Sequence, residues 1–340
     1  MPLRRPLSAS VVVVTGASSG IGAATAVALA ERGASVVLAA RRLDALRRVA
    51  ARCWACGGAA LPVVTDVTDP AAVARLAEAA TARFGRADAW VNNAGVGLYA
   101  PLADAAIDDV RRVIDVNLLG YLNGIQAALP LLDAAGGGVI VNVASVLGDV
   151  SVAYLGSYTI SKHAVRGLSD TMRQELPDDS VSVCTVLPGS IDTPFYRNAA
   201  NRVGRRPRPL PPVYPPERVA EAIVRVLCRP RRDVYVGQLS RASAAAWRLR
   251  PALAERVLGW YSRRASLTAE PAASTSGNLF TPGDHPAEVD GGFRNDRVRA
   301  VNAGLAAGAT LGLAGVTFGL VAAVVTRAFR AGGSAPRGTS

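Results

Sequence analysis

Short valine-rich runs alternate along this chain with longer stretches whose apolar residues recur every three or four positions. The runs at 11–15, 35–40, 61–65, 87–91, 139–144, 181–186 and 233–236 have strand length, and most are apolar at successive positions. A strand that is apolar on both faces belongs inside a sheet covered on both sides. The stretches 21–32, 43–51, 71–84, 107–131, 157–176 and 216–228 read as helices. This alternation predicts an α/β fold, a doubly wound parallel sheet with helices on both faces.

The pattern changes after residue 240. Residues 244–264 form an amphipathic stretch, with Leu249, Leu253, Val257 and Trp260 on one stripe and Arg248, Arg250, Arg256, Arg263 and Arg264 elsewhere. Pro251 should kink this helix or open it. Its apolar stripe suits either a membrane or partner surface or packing on the α/β core. The Ser-, Thr-, Pro- and Gly-rich stretch 266–292 reads as linker. Residues 300–326 carry no formal charge. As a helix this segment would be about 40 Å long, enough to cross a hydrocarbon core of about 30 Å. Glycines 304, 308 and 312, and again 315 and 319, give it faces on which helices approach closely, a route to a homo-oligomer. The expected organisation is a catalytic and cofactor-binding domain at 8–240, an amphipathic helix and linker at 241–299, and a hydrophobic helix at 300–326. A membrane anchor would place the enzyme on the cytoplasmic side of a membrane. A helix buried in a soluble cytoplasmic oligomer is the alternative.

Composition narrows the classes. Half of the residues are hydrophobic and 19% are charged, ample for a large core. The net charge of +12 raises nucleic acid as a partner. The arginines are scattered and no aromatic–basic module accompanies them, so no nucleic-acid partner is expected. Of the four cysteines, Cys53 and Cys56 form a lone CxxC, and the only histidines are His163 and His285. No second ligand pair stands at metal-site spacing, and no metal is expected. The first ten residues have no apolar core of the secretory kind.

One basic residue differs from the rest. Lysine and arginine total 38, and the single lysine is Lys162. Position 162 therefore needs what arginine lacks, a compact ammonium on a flexible stem. Tyr158 lies four residues earlier, which places both side chains on one helix face. A phenol beside an ammonium suggests a pKa pulled down for acid–base work. Upstream, the run 11–14 leads into Thr15-Gly16-Ala17-Ser18-Ser19-Gly20-Ile21-Gly22, a strand, a glycine turn and a helix start. Such a turn lets backbone approach a pyrophosphate at a helix N-terminus.

The glycine turn is followed in order by Asn92-Asn93-Ala94-Gly95, Asn117, Ser145 and Tyr158-x-x-x-Lys162. With this set the chain resembles the short-chain dehydrogenase/reductase family over about residues 8–237. The resemblance implies a seven-stranded Rossmann sheet, a mobile lid near 190–216 and an NADP(H)-type cofactor. It also implies a catalytic set of Asn117, Ser145, Tyr158 and Lys162. Tyr158 would be the general acid, with Lys162 binding the nicotinamide ribose and lowering the phenol's pKa. Ser145 would hold the substrate oxygen, and Asn117 a relay water. The cofactor would lie along Gly16, Ser18, Ser19, Gly20, Ile21 and Gly22, with Asp66 and Val67 at the adenine and Asn93, Ala94 and Gly95 along the dinucleotide. Tyr158 and Lys162 would also touch it, and Pro188, Gly189, Ile191 and Thr193 would hold the carboxamide.

Arg41 and Arg42 end the second predicted strand, with no carboxylate before Asp44. That pattern favours a ribose 2′-phosphate, hence NADP(H) over NAD(H). Val146, Leu147, Val150, Val152 and Tyr154 around Ser145 suggest an apolar carbonyl or alcohol substrate, or packing beneath the lid. The expected activity is an NADP-dependent oxidoreductase moving hydride between nicotinamide and a carbonyl carbon. A non-catalytic NADP(H)-binding sensor or scaffold is the alternative, although it would need only the glycine turn.

Overall fold

The computed structural model describes residues 2–176, 180–283 and 288–294, together with Val298 and Asn302. Seven strands form the central sheet: β1 (Val11–Thr15), β2 (Ser35–Ala40), β3 (Ala60–Val64), β4 (Ala89–Asn92), β5 (Gly138–Val143), β6 (Val181–Pro188) and β7 (Asp233–Val236). Their spatial order is β7-β6-β5-β4-β1-β2-β3 and every pairing is parallel. This is the expected doubly wound Rossmann arrangement. The strand order reverses between β1 and β4, and the crevice at their carboxyl ends is where such sheets bind ligands.

The unbroken apolar strands are explained by the two cores. Val12 and Val14 pack in one hydrophobic cluster with Val36 and Leu38, while Val11 and Val13 pack in the other with Val37 and Ala39. Helices α1 (Gly20–Ala30), α2 (Leu43–Ala55) and α7 (Glu217–Cys228) cover the first face. Helices α3 (Pro70–Phe84), α5 (Gly120–Ala134) and α6 (Gly156–Glu175) cover the second. α2 ends inside the CxxC, with Cys56 as its C-cap, leaving Cys53 buried and Cys56 exposed as free thiols. Among the described residues no cluster of three metal-ligating side chains occurs.

Three expectations about elements change. The long helix expected at 107–131 is α4 (Ile107–Ile114), then a π-helical turn over Asp115–Leu119, then α5. The widened turn carries Asn117, whose amide is held by Val96. The single amphipathic helix expected at 244–264 is two helices, α8 (Gln238–Leu249) and α9 (Pro251–Ala265), broken where Pro251 supplies the first residue of α9. Their stripe is divided: Val257 and Trp260 line the central cavity, while Leu253 is exposed. Third, the stretch expected as linker lies against the catalytic domain. Leu267–Pro271 pairs with Arg205–Pro207, and Leu279 is fully buried. Ser, Thr, Pro and Gly side chains add little hydrophobic signal, and this segment is held by backbone pairing, by Leu279 and by Arg202 on the hydroxyls of Ser274 and Ser276.

The expected hydrophobic helix at 300–326 lies outside the described residues, apart from Asn302, whose amide bonds both the N–H and the carbonyl of Val213. Among the described residues no helix is long and apolar enough to cross a membrane.

A buried polar chain crosses the second face of the sheet. The Trp90 indole donates to Asn92 (2.9 Å), the Asn92 amide to Asn142 (2.9 Å), and the Asn142 amide to Ser169 (3.0 Å). It ties β4 and β5 to α6, and Gly124 of α5 leaves room for it. A Cβ on Gly124 would sit 2.2 Å from Asn92 Oδ1. Gly124→Ala should therefore break the chain and destabilise the fold by about 2–4 kcal/mol, through overpacking and unsatisfied buried amides. Urea unfolding measures it, and a loss below 1 kcal/mol would contradict this packing.

Candidate active site

At the switch point, two loops are sewn together. Thr15 Oγ1, at the end of β1, accepts the backbone N–H groups of Asn93 (3.0 Å) and Ala94 (3.2 Å). The Asn93 amide donates back to the carbonyl of Thr15 (2.9 Å). Gly16 follows with φ +66°, and a Cβ there would lie 2.7 Å from the Ala94 Cα. A Cβ on Gly22 would lie 2.3 Å from the Gly16 carbonyl. Gly16 thus permits the turn, and Gly22 lets α1 start against it. Gly22 works from behind. Gly16, Ser18, Ser19, Gly20, Ile21, Asn93, Ala94 and Gly95 line one cavity of about 660 Å³.

The same cavity reaches Arg41 and Arg42 at the end of β2, and Asp66 and Val67 after β3. Burial raises the Asp66 pKa, but hydrogen bonds from Thr68 and Arg112 outweigh it, and the carboxyl stays below its ordinary range. Arg112 Nη2 donates to Asp66 Oδ2 at 2.8 Å. Three arginines face one carboxylate here, so this end is electropositive.

The other limb holds the expected chemistry. Ser145 lies two residues after β5, Tyr158 and Lys162 rise from α6, Pro188 ends β6, and Gly189, Ile191 and Thr193 follow it; all seven line the cavity. Lys162 Nζ donates to the Val143 carbonyl (2.9 Å) and to Tyr121 Oη (3.2 Å). It lies 5.6 Å from the Tyr158 ring centroid. Asn117 does not line the cavity. Its amide accepts from Val96 N (2.9 Å) and donates to Val96 O (3.0 Å) and Ser161 Oγ (3.0 Å).

The expected lowering of the phenol's pKa is absent from the side chains by themselves. Burial pushes Tyr158 up, Tyr196 adds to this, and a hydrogen bond with Ser145 opposes it. Burial instead pulls Lys162 down to about 7. A buried ammonium whose partners are neutral oxygens cannot offset the phenol's desolvation.

Several residues escaped the sequence reading. Tyr121 bonds Lys162 and donates to the Val143 carbonyl (2.9 Å), and Arg112 holds Asp66. Both depend on contacts distant in sequence and carry no local signal. The apolar limb is walled by Leu210, Leu239, Val257, Leu258, Trp260 and others from the stretch 205–214 and from α8 and α9. Asn278, Pro282 and Gly283 wall the arginine end.

The Lys162 pKa carries a stability consequence. Below about pH 7 the lysine is charged both folded and unfolded, and folding bears the full cost of burying the charge. Between about 7 and its ordinary 10.5 the folded chain binds fewer protons than the unfolded one, so stability rises with pH. Without cofactor, Lys162→Met should be more stable than the native chain near pH 7. That gap should narrow towards pH 10, by at most about 1.4 kcal/mol per pH unit. Thermal unfolding of both proteins across this range measures it, and a constant gap would contradict a neutralised lysine.

Residues 10–203 match the model of the short chain dehydrogenase family. An uncharacterized oxidoreductase of Bacillus subtilis, YxnA, is 38% identical over 75% of this chain and 72% of its own length. A cis-4-hydroxycyclohexanecarboxylate dehydrogenase of Sinomonas cyclohexanicum is 42% identical over 63% of this chain and 87% of its own. Among solved structures, a Burkholderia phymatum short chain dehydrogenase/reductase in complex with NAD aligns with TM-score 0.66 and 28% identity, over 73% of this chain and 96% of its own. A Thermococcus sibiricus alcohol dehydrogenase complexed with 5-hydroxy-NADP aligns with TM-score 0.59 and 30% identity, over 66% and 94%. The fold, the sewn glycine turn and these likenesses agree: this chain belongs to the short-chain dehydrogenase/reductase family of oxidoreductases.

Proposed function

We propose that the chain is an NADP-dependent oxidoreductase acting on an uncharged, largely apolar ketone or the matching secondary alcohol. The observation that carries this is one cavity with two chemistries. Its arginine end presents Arg41 and Arg42, and its far limb brings Ser145 and Tyr158 among apolar walls. Among the described residues the charged ones lining the cavity are Arg41, Arg42, Asp66 and Lys162, and apart from Lys162 beneath Tyr158 the apolar limb has none. A charged substrate would lose its hydration there without a partner. The Sinomonas relative is named for a ring alcohol that also bears a carboxylate; this supports an alcohol of modest size, while the uncharged character rests on the cavity walls alone.

The cavity fits a dinucleotide on this chain's own features. The crossing of Gly16, Gly20 and Gly22 leaves backbone open where Cβ atoms would collide, and the guanidinium pair suits a 2′-phosphate. Bound nicotinamide supplies the hydride or accepts it. Tyr158 gives its proton to the substrate oxygen in reduction and takes it back in oxidation. Its raised pKa keeps it protonated and ready as an acid. Ser145, hydrogen-bonded to the phenol, orients the same oxygen. Lys162 stands below on Val143 and Tyr121, fixed to meet the ribose and to add positive charge beside the phenol. Val150, Val152 and Leu155 keep water from the reacting oxygen.

Oxidation of NADPH against a panel of cyclic and open-chain ketones, aldehydes and quinones tests the reading. We expect kcat/KM for NADPH to exceed that for NADH by at least about tenfold, or 1.4 kcal/mol. Equal values, or NADH ahead, would overturn the role given to Arg41 and Arg42. Tight NADPH binding with no turnover on any substrate would favour the sensor alternative.

The solitary lysine yields a second test. Lys162→Arg keeps the charge, but a planar guanidinium cannot occupy the pocket between Val143 and Tyr121. Turnover should fall to less than about a tenth of the native value with the fold kept. A variant with more than that turnover would refute the need for an ammonium.

A further inference from the structure

Residues 272–283 and 288–294 run as a strap along the cofactor end of the cavity, and much of that end is bonded to them. On the adenosine side, Arg41 Nη2 donates to the Asn278 carbonyl (2.6 Å) and Nη1 to that of Phe280 (3.3 Å). Arg42 Nη1 donates to the Gly283 carbonyl (3.0 Å). Arg112 Nε donates to the Leu279 carbonyl (2.8 Å) while its Nη2 holds Asp66. On the other side, the N–H of Gly20, the first residue of α1, donates to the Glu288 carbonyl (3.0 Å). Asp192 accepts the N–H groups of Gly291 (3.0 Å), Phe293 (2.9 Å) and Arg294 (3.2 Å).

The strap is seated, not draped. Leu279 is fully buried in a cluster with Val67, Val96, Val113 and Val116, the residues behind the adenine loop. Asn278 N donates to the Asn198 carbonyl (2.8 Å). Gly277 allows that approach with φ +50°, and a Cβ there would lie 2.2 Å from the same carbonyl.

Resting on the NADP reading above, we propose that this strap is a wall of the cofactor site, a clamp that sets the two arginines for a 2′-phosphate and slows release of NADP(H). Three observations support a clamp over a competitor for the site. Asn278, Pro282 and Gly283 line the cavity beside Arg41 and Arg42, so the cavity persists with the strap in place. Backbone carbonyls accept hydrogen bonds without neutralising the guanidinium charge, which remains for a phosphate and its stronger, charge-assisted bonds. Arginine has long side chains with several rotamers, and fixing them beforehand removes an ordering cost from binding. The strap also joins the two halves of the site, since Leu279 reaches the adenine loop and Glu288 reaches α1.

The test uses the full-length protein. Gly277→Val should lift the strap at the Asn198 carbonyl, and residue 277 itself does not line the cavity. NADPH affinity and release, followed by nucleotide fluorescence, should weaken and quicken at least tenfold, whereas NADH affinity should change less. In the native protein, hydrogen–deuterium exchange of 278–283 and 288–294 should slow when NADPH is added. That measurement decides the matter alone if the variant does not fold. Unchanged affinity in a folded Gly277→Val, or exchange unaltered by NADPH, overturns the clamp. Tighter NADPH binding by the variant, or faster exchange on adding NADPH, shows the strap to be a competitor and overturns it too. Native protein that binds NADPH while the strap fails these tests leaves the proposed function standing; native protein that binds no NADPH removes both.

Discussion

Everything in the cavity depends on how closely the turn after β1 approaches the loop after β4. Thr15 and Asn93 hold these two loops by reciprocal hydrogen bonds, and Gly16 and Gly22 remove the side chains that would keep them apart. The close approach opens the crevice at the point where the strand order reverses. It also sets where Ser145, Tyr158 and Lys162 stand, since β5 is bonded directly to β4. A bulkier turn would separate the sheet's two halves and with them the two ends of the site.

The second constraint is a buried cation. Lys162 is almost wholly buried, and its two hydrogen-bond partners are a carbonyl and a phenol. Burying an ammonium without a carboxylate is unfavourable, and the pKa near 7 expresses that. Every other basic residue of the chain is arginine, and Arg112, Arg166 and Arg173, among the more buried of these, have carboxylate partners. The tyrosine–lysine pair therefore does not carry its own acid–base tuning. Each member is shifted by burial towards its neutral form, which leaves the tuning to whatever charge binds beside them.

The repeating parts of the chain were legible because their causes are local. The valine runs became strands buried on two faces, and the glycine spacing became a turn with positive φ at Gly16 and Gly20. Ser145, Tyr158 and Lys162 could be placed in one site because each sits at a strand end or on one helix face. What could not be read was set by contacts between distant residues. Asn117 read as a polar residue inside a helix, and only the π-helical turn reveals that Val96 and Ser161 consume its amide. Arg41 and Arg42 read as cations at the end of the second strand, and both line the cavity there, but nothing local tells that carbonyls some 240 residues on, at Asn278 to Gly283, receive their N–H groups.

The segment after β7 completes what the sheet begins. The α/β core supplies the turn and the serine at the carboxyl ends of strands and the tyrosine from α6, but these leave the cavity open on two sides. α8 and α9 bring Leu239, Val257 and Trp260 over the apolar limb, with Tyr261 donating to the Pro211 carbonyl (2.9 Å). The chain then continues as the strap and covers the opposite end through Arg41, Arg42 and Arg112. Between the two lies Leu267–Pro271, which pairs with Arg205–Pro207. The walls of both limbs are thus tied to one another and to the stretch 205–211 through the backbone.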